Sequence, residues 1–199
     1  MIERYNYDDL EILVSDELTE EFETITQIMS EDKSHSLHKN YSKINYTDYL
    51  FYVIMVYKGK VCGFHAAQQK EMYHGGIRAF TRLYIKDGVD GYNPHSVTHG
   101  SDPKSKFSAI SYQIYNEKLK DQPVFVSRNI ANPKNYIGFK GLVKYCRKIS
   151  GIDLEYDNRL YQVAHNKKDK ASWQLVFWFN DKRVPLKTMS LKTWSKLYA

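Results

Sequence analysis

Cysteine is scarce in this 199-residue chain, which has only Cys62 and Cys146. Each lies inside an apolar pattern, so both are expected to be buried free thiols, and a disulfide framework or a cysteine-held metal is set aside. No apolar run reaches the roughly 18 residues that a membrane-spanning helix needs. The opening stretch MIERYNYDDL has no hydrophobic segment of the secretory kind. The expectation is therefore a cytoplasmic protein with no membrane partner. Motif words are also missing: there is no P-loop, G-x-G-x-x-G, G-x-S-x-G or C-x-x-C. No RRM, KH, zinc-finger or helix-turn-helix pattern appears. Seven histidines are present, but no spacing among them supports a hydrolase triad. Metal binding by His35 and His38, three apart, is rare without a third ligand nearby, and Pro94 and Gly100 argue against a helix that would align His95 with His99.

What is there suits one domain. With 42% apolar and 26% charged residues, the chain can close a core unaided. The net charge of +6 hides a division. Residues 1–32 hold eleven acidic side chains and one basic one, Arg4, whereas residues 33–199 hold 28 basic and 12 acidic. An acidic flank on a basic body suits an anionic ligand on one side and a cationic one on the other. A solvated charged surface would look the same. Lysine outnumbers arginine, and tyrosine, isoleucine and asparagine are plentiful, a bias common in AT-rich genomes, viral ones included.

Periodicity supplies the elements. Leu10–Val14 reads as a strand, and Leu18, Phe22, Ile25 and Met29 have helical spacing behind an N-cap at Ser15 or Asp16. Tyr49–Val56 is apolar on both faces, as a covered central strand must be. The turn Tyr57–Lys60 returns the chain as Val61–Gln69, and Ile77–Ile85 completes an antiparallel meander. In that third strand Ile77, Ala79, Thr81, Leu83 and Ile85 are expected to face one way and Arg78, Phe80, Arg82 and Tyr84 the other. Lys86–Lys104 is long and rich in glycine, proline and histidine, which marks a functional or mobile loop. A helix carrying Phe107, Ile110 and Ile114 ends near Lys120, and Val124–Ser127 is a short strand parallel to Ile77–Ile85. A second helix follows from about Asn135 to Ser150, then two long strands, Leu154–His165 and Ser172–Asn180. Residues 1–180 form the expected domain. Residues 181–199 form a basic tail packing on it, with Ser190 capping a final helical turn.

Strand, helix, three-strand meander, helix, strand, helix, strand, strand: this order resembles the GCN5-related N-acetyltransferase (GNAT) superfamily over residues 8 to 180. Leu83-Tyr84-Ile85 looks like the family's L-Y-V at the end of its fourth strand. Asn135, Tyr145 and Gly151-Ile152 look like its N…Y…G-F pattern. The fold class implied is α+β, a single domain with a mixed, mostly antiparallel sheet of six to seven strands flanked by helices. The resemblance further implies an N-acyltransferase that moves an acetyl group from acetyl-CoA, as co-substrate, to an amine acceptor. That acceptor could be a small molecule, a protein or a nucleobase.

In such enzymes the fourth strand splays from the fifth, and its backbone pairs with the pantetheine arm, which places Leu83, Tyr84 and Ile85 at the cofactor. The following helix start wraps the pyrophosphate with amides, through Q/R-x-x-G-x-G/A. The matching residues here are Lys104, Ser105, Lys106, Phe107, Ser108 and Ala109. The chain departs from the pattern at Phe107, which stands at the first glycine, where a side chain would crowd a phosphate. Lys104 and Lys106 would supply charge, Ser105 and Ser108 donors. By the same resemblance Asp87, the first acid past the strand, is the candidate general base. Tyr145 is the candidate general acid for the leaving thiolate. Amine attack on a thioester depends mainly on positioning, so a sparse site is compatible with catalysis. The alternative reading is a catalytically inactive GNAT-like module that binds nucleic acid or a host protein through its interleaved lysines and aromatic residues.

Overall fold

Asp8 and Asp9 reverse the chain after six residues, and the first hairpin follows from that turn. Asp8 takes a left-handed φ of 52°, which aspartate tolerates because its short side chain bonds locally. Strand β1 (Ile2–Tyr7) thereby pairs antiparallel with β2 (Leu10–Ser15), from Ile2↔Ser15 to Tyr7↔Leu10. The computed structural model describes residues 1–33, 44–86, 103–129, 159–162 and 173–198. The remaining strands are β3 (Phe51–Tyr57), β4 (Lys60–Gln69), β5 (Ile77–Ile85), β6 (Val124–Asn129), β7 (Arg159–Gln162), β8 (Trp173–Trp178) and β9 (Thr188–Ser190). They form one mostly antiparallel sheet in the order β1-β2-β3-β4-β5-β6-β8-β7-β9. Among the described residues nine strands stand where six to seven are expected. The additions include β1 and β9, which are short and polar, and apolar periodicity cannot register a strand that buries little. The helix expected near residues 135–150 lies outside the described residues.

The chain divides into two units, residues 1–68 with 80–108, and 69–79 with 109–199. In the first, β3 buries Phe51 through Met55 in succession, as a strand covered on both faces must. Helix α1 (Glu20–Glu31) packs Phe22, Ile25 and Met29 against Leu13, Tyr52, Ile54, Phe64, Ala66 and Tyr84. Its N-cap is Thr19, in place of the expected Ser15 or Asp16. Ser15 Oγ is already committed, accepting from Glu17 N at 3.0 Å. Thr19 Oγ1 accepts from Phe22 N at 3.2 Å and lies 2.9 Å from the Tyr52 hydroxyl, which also donates to Glu17 O at 2.6 Å. Thr19→Ala would strip both contacts from a buried cap. It should lower stability by about 1–2 kcal/mol in urea denaturation. Leu18, expected on the buried stripe, precedes the helix and is exposed.

The β3–β4 turn uses Lys58 at φ 48° and Gly59 at φ 71°, the left-handed pair that a tight hairpin needs. Strand β5 departs from simple alternation. Phe80 and Arg82 both have left-handed φ, 55° and 59°. Consequently Ala79, Phe80 and Thr81 are buried in succession, and Tyr84 is buried while Leu83 and Ile85 are only half so.

In the second unit, β6 runs parallel to β5 through Ile77↔Val124 and Arg78↔Phe125, the expected parallel pairing. Strand β8 is antiparallel to both β6 and β7. Tyr73, Phe125, Tyr161, Val176, Trp178 and Leu186 form a core there. Helix α2 (Pro103–Lys118) contributes residues to both units. Within the second, its Tyr112 stacks on Phe179 at 5.2 Å. The segment after residue 180 buries Leu186, pairs β9 with β7, and ends in α3 (Leu191–Tyr198). Ser190 Oγ accepts from Thr193 N at 3.0 Å, the cap that the sequence predicts.

Candidate acyl-CoA site

The resemblance directs attention to the end of β5 and the start of α2, and both lie in the first unit. Helix α2 opens on Pro103, whose missing N–H costs nothing at a helix start. The next amide groups, at residues 104–106, have no carbonyl within the helix one turn back to bond. No acidic residue occupies this first turn, and Lys106 is exposed. Amides without an intrahelical partner, aligned peptide dipoles and an ammonium group thus coincide at one helix end, a donor set suited to a phosphate or pyrophosphate.

Strand β4 fixes where that end stands. Phe107 is fully buried, and its Cε1 would lie 3.2 Å from a Cβ added to Gly63, while Met55 Cβ would lie at 2.8 Å. The absent side chain at Gly63 is what lets the Phe107 ring approach the strand. Two residues on, the His65 ring is 5.0 Å from Phe107 and 4.5 Å from Phe80. One residue back, Cys62 O accepts from Lys86 N at 2.8 Å, just past the end of β5. The first turns of α2 and the end of β5 therefore meet over Cys62–His65. The sequence gives one cue to His65, a lone imidazole in an otherwise apolar strand.

Among the described residues, Cys62 and His65 bring little acid–base capacity to this neighbourhood. Burial pushes His65 down to about 3, so the imidazole is neutral at physiological pH. Burial pushes the Cys62 thiol up to about 11, and its Sγ donates to Met55 O at 3.7 Å. Cys62 is the buried free thiol expected; Cys146 lies outside the described residues.

The sequence-predicted residues fall as follows. Leu83 and Ile85 are half-buried at the end of β5. Tyr84 is in the core, with its hydroxyl donating to Asp32 Oδ2 at 2.7 Å. Lys104, Ser105, Lys106 and Ser108 all lie on α2, and the Ser108 side chain is buried while Lys106 reaches solvent. Phe107 also lies within the helix and turns inward, so its ring does not occupy the surface that a phosphate would approach. The β5–β6 ladder stops after Arg78, and no later residue of β5 has a ladder partner on β6 among the described residues. Asp87, Asn135 and Tyr145 lie outside the described residues.

No protein-family model matches the sequence, and no curated protein matches it. Solved structures do. The ribosomal-protein-S5-alanine acetyltransferase from Vibrio fischeri aligns with a TM-score of 0.50 at 9% identity, covering 92% of this chain and 99% of that one. An acyl-CoA N-acyltransferase from Pseudomonas aeruginosa aligns at 0.48 and 12% identity, covering 86% and 99%. The ribosomal-protein-S18-alanine N-acetyltransferase from Escherichia coli aligns at 0.46 and 9%, covering 88% and 99%. The fold is that of the GNAT superfamily. At such identities the similarity concerns the fold alone. No helix among the described residues is long and apolar enough to cross a membrane.

Proposed function

We propose that this chain is a GNAT-type N-acyltransferase that moves an acetyl group from acetyl-CoA to an amine. The observation that carries the reading is the acid-free amino terminus of α2, with exposed Lys106, set beside the end of β5. In this reading the amides of residues 104–106, with Lys104, Ser105 and Lys106, hold the pyrophosphate. The backbone of Leu83, Tyr84 and Ile85 holds the pantetheine arm. Ser108 supports the helix from within, and Asn135 belongs to the cofactor side of the site. Acetyl-CoA supplies the activated acyl group. The chain's own task is to align the thioester carbonyl with an unprotonated amine, with Asp87 accepting the amine proton and Tyr145 returning one to the thiolate.

Titration calorimetry with acetyl-CoA, with free CoA as control, tests the reading. Wild type should bind in the micromolar range. Lys106→Glu should weaken binding about tenfold, because it places a carboxylate against the phosphates at a helix amino terminus. Absence of binding at millimolar CoA would reject acyl transfer. The alternative, a non-catalytic module for nucleic acid or a protein partner, would then be probed through the salt dependence of DNA and RNA binding.

A further inference from the structure

Helix α1 ends on an unfavourable charge. Its last turn has no basic residue, and Asp32 stands at the C-cap, where the helix dipole already places negative charge. The carboxylate has a partner far along the chain: its Oδ2 accepts from the Tyr84 hydroxyl at 2.7 Å. Tyr84 is buried in the cluster that Phe22, Ile25 and Met29 form with Phe64 and Ala66. A phenylalanine would fill the same space, and only the hydroxyl reaches the carboxylate.

That bond reaches β5 at a sensitive place. Tyr84 lies between Leu83 and Ile85, two residues after Arg82, whose φ is left-handed at 59°, as that of Phe80 is at 55°. Bulky residues keep such a backbone only where the surroundings over-determine it. Three anchors flank the strained pair. The Phe80 ring packs on His65 at 4.5 Å, the Tyr84 hydroxyl bonds Asp32, and Lys86 N donates to Cys62 O at 2.8 Å. The first two act from opposite faces of the sheet. Phe64 and Ala66 share the cluster of Tyr84 on the α1 side, whereas His65, between them on β4, meets Phe107 of α2 on the other.

We infer that Asp32 is a positioning residue for acyl-CoA: by holding the Tyr84 hydroxyl, it fixes the main chain of residues 83–85 in the conformation that receives the pantetheine arm. The inference rests on the acyl-transfer reading above. Asp32 acts through Tyr84, from the face opposite α2, and not by contact with substrate. Loss of its bond deprives a buried phenol of this acceptor and lets the strained end of β5 relax. Main-chain groups pair well with an extended ligand only when their spacing and direction are set beforehand, so relaxation is read as lost affinity.

Calorimetry with acetyl-CoA and amide hydrogen exchange, both on the full chain, test it. Asp32→Ala and Tyr84→Phe should each weaken acetyl-CoA binding about fivefold, and the double variant no more than either, because both remove one bond. Asp32→Asn, which keeps an acceptor oxygen, should stay within about twofold of wild type. Without ligand, amide exchange at residues 83–86 should quicken about fivefold in Tyr84→Phe. Thr19→Ala controls for a merely structural role: it weakens α1 from its other end and should leave the affinity unchanged. Unaltered affinity in Asp32→Ala and Tyr84→Phe, additive losses in the double variant, unchanged exchange at residues 83–86, or an equal loss in Thr19→Ala would overturn the inference while acyl transfer stands. No binding by wild type at millimolar acetyl-CoA would reject both. Circular dichroism matching wild type establishes that each variant is folded.

Discussion

Phe107→Ala should lower the unfolding free energy by about 3–5 kcal/mol, the range for truncating a fully buried phenylalanine. The site leaves little room for relaxation. Phe107 is 0% exposed, rests against the glycine surface of Gly63, and faces the His65 ring at 5.0 Å. Removing the ring exposes an imidazole that the fold keeps dry, so a polar desolvation defect adds to the cavity. A loss of this size is a large part of the 5–15 kcal/mol that a domain of this size typically has. Urea denaturation followed by tryptophan fluorescence and circular dichroism would measure it, and a change below about 1 kcal/mol would mean that the ring is not packed as described. Phe107→Gly should be worse, since glycine also costs about 1 kcal/mol relative to alanine inside a helix. A family pattern with glycine at this position suggests the opposite, a gain in phosphate access. The structure gives the physical reason that the substitution fails as a repair: the side chain points into the core, and phosphate access depends on the amides ahead of it.

The contrast shows where sequence reasoning has purchase. The meander and the parallel return of β6 are legible because Tyr52, Ile54, Phe64 and Val126 are deeply buried and leave strong apolar patterns. Strand β1 is illegible for the converse reason: IERYNY is mostly exposed and paired only through its backbone. Alternation in β5 fails for a different reason. Left-handed φ at Phe80 and Arg82 rotates the chain between otherwise ordinary residues, and neither position is the glycine that would announce it. The same blindness holds at the site. Lys104, Ser105, Lys106 and Ser108 look alike in a motif, yet the fold sends Ser108 inward and Lys106 outward.

His65 yields the second large effect, a stability that falls as the solution is acidified. The imidazole titrates near 6.5 in an unfolded chain and near 3 in the fold, because burial between Phe80 and Phe107 disfavours the imidazolium. Between those values the unfolded state binds a proton that the native state refuses. Stability from this residue is therefore complete above pH 6.5 and declines as pH falls toward 3, at about 1.4 kcal/mol per pH unit. Carboxylates also titrate in this window, so the informative quantity is the difference between wild type and His65→Leu. That difference should be flat above pH 6.5 and should shift steadily in favour of the variant below it, by nearly 3 kcal/mol at pH 4.5. A difference that stays constant from pH 7.5 to 4.5 would show that the imidazole is hydrated in the native state. The consequence reaches the proposed acyl-CoA site, because His65 supports the turn of α2 that carries Phe107. Protonation that dislodges that turn should weaken acetyl-CoA binding as pH approaches 3 in wild type but not in His65→Leu. That outcome would tie the dry core beneath the helix to the anion-binding end above it.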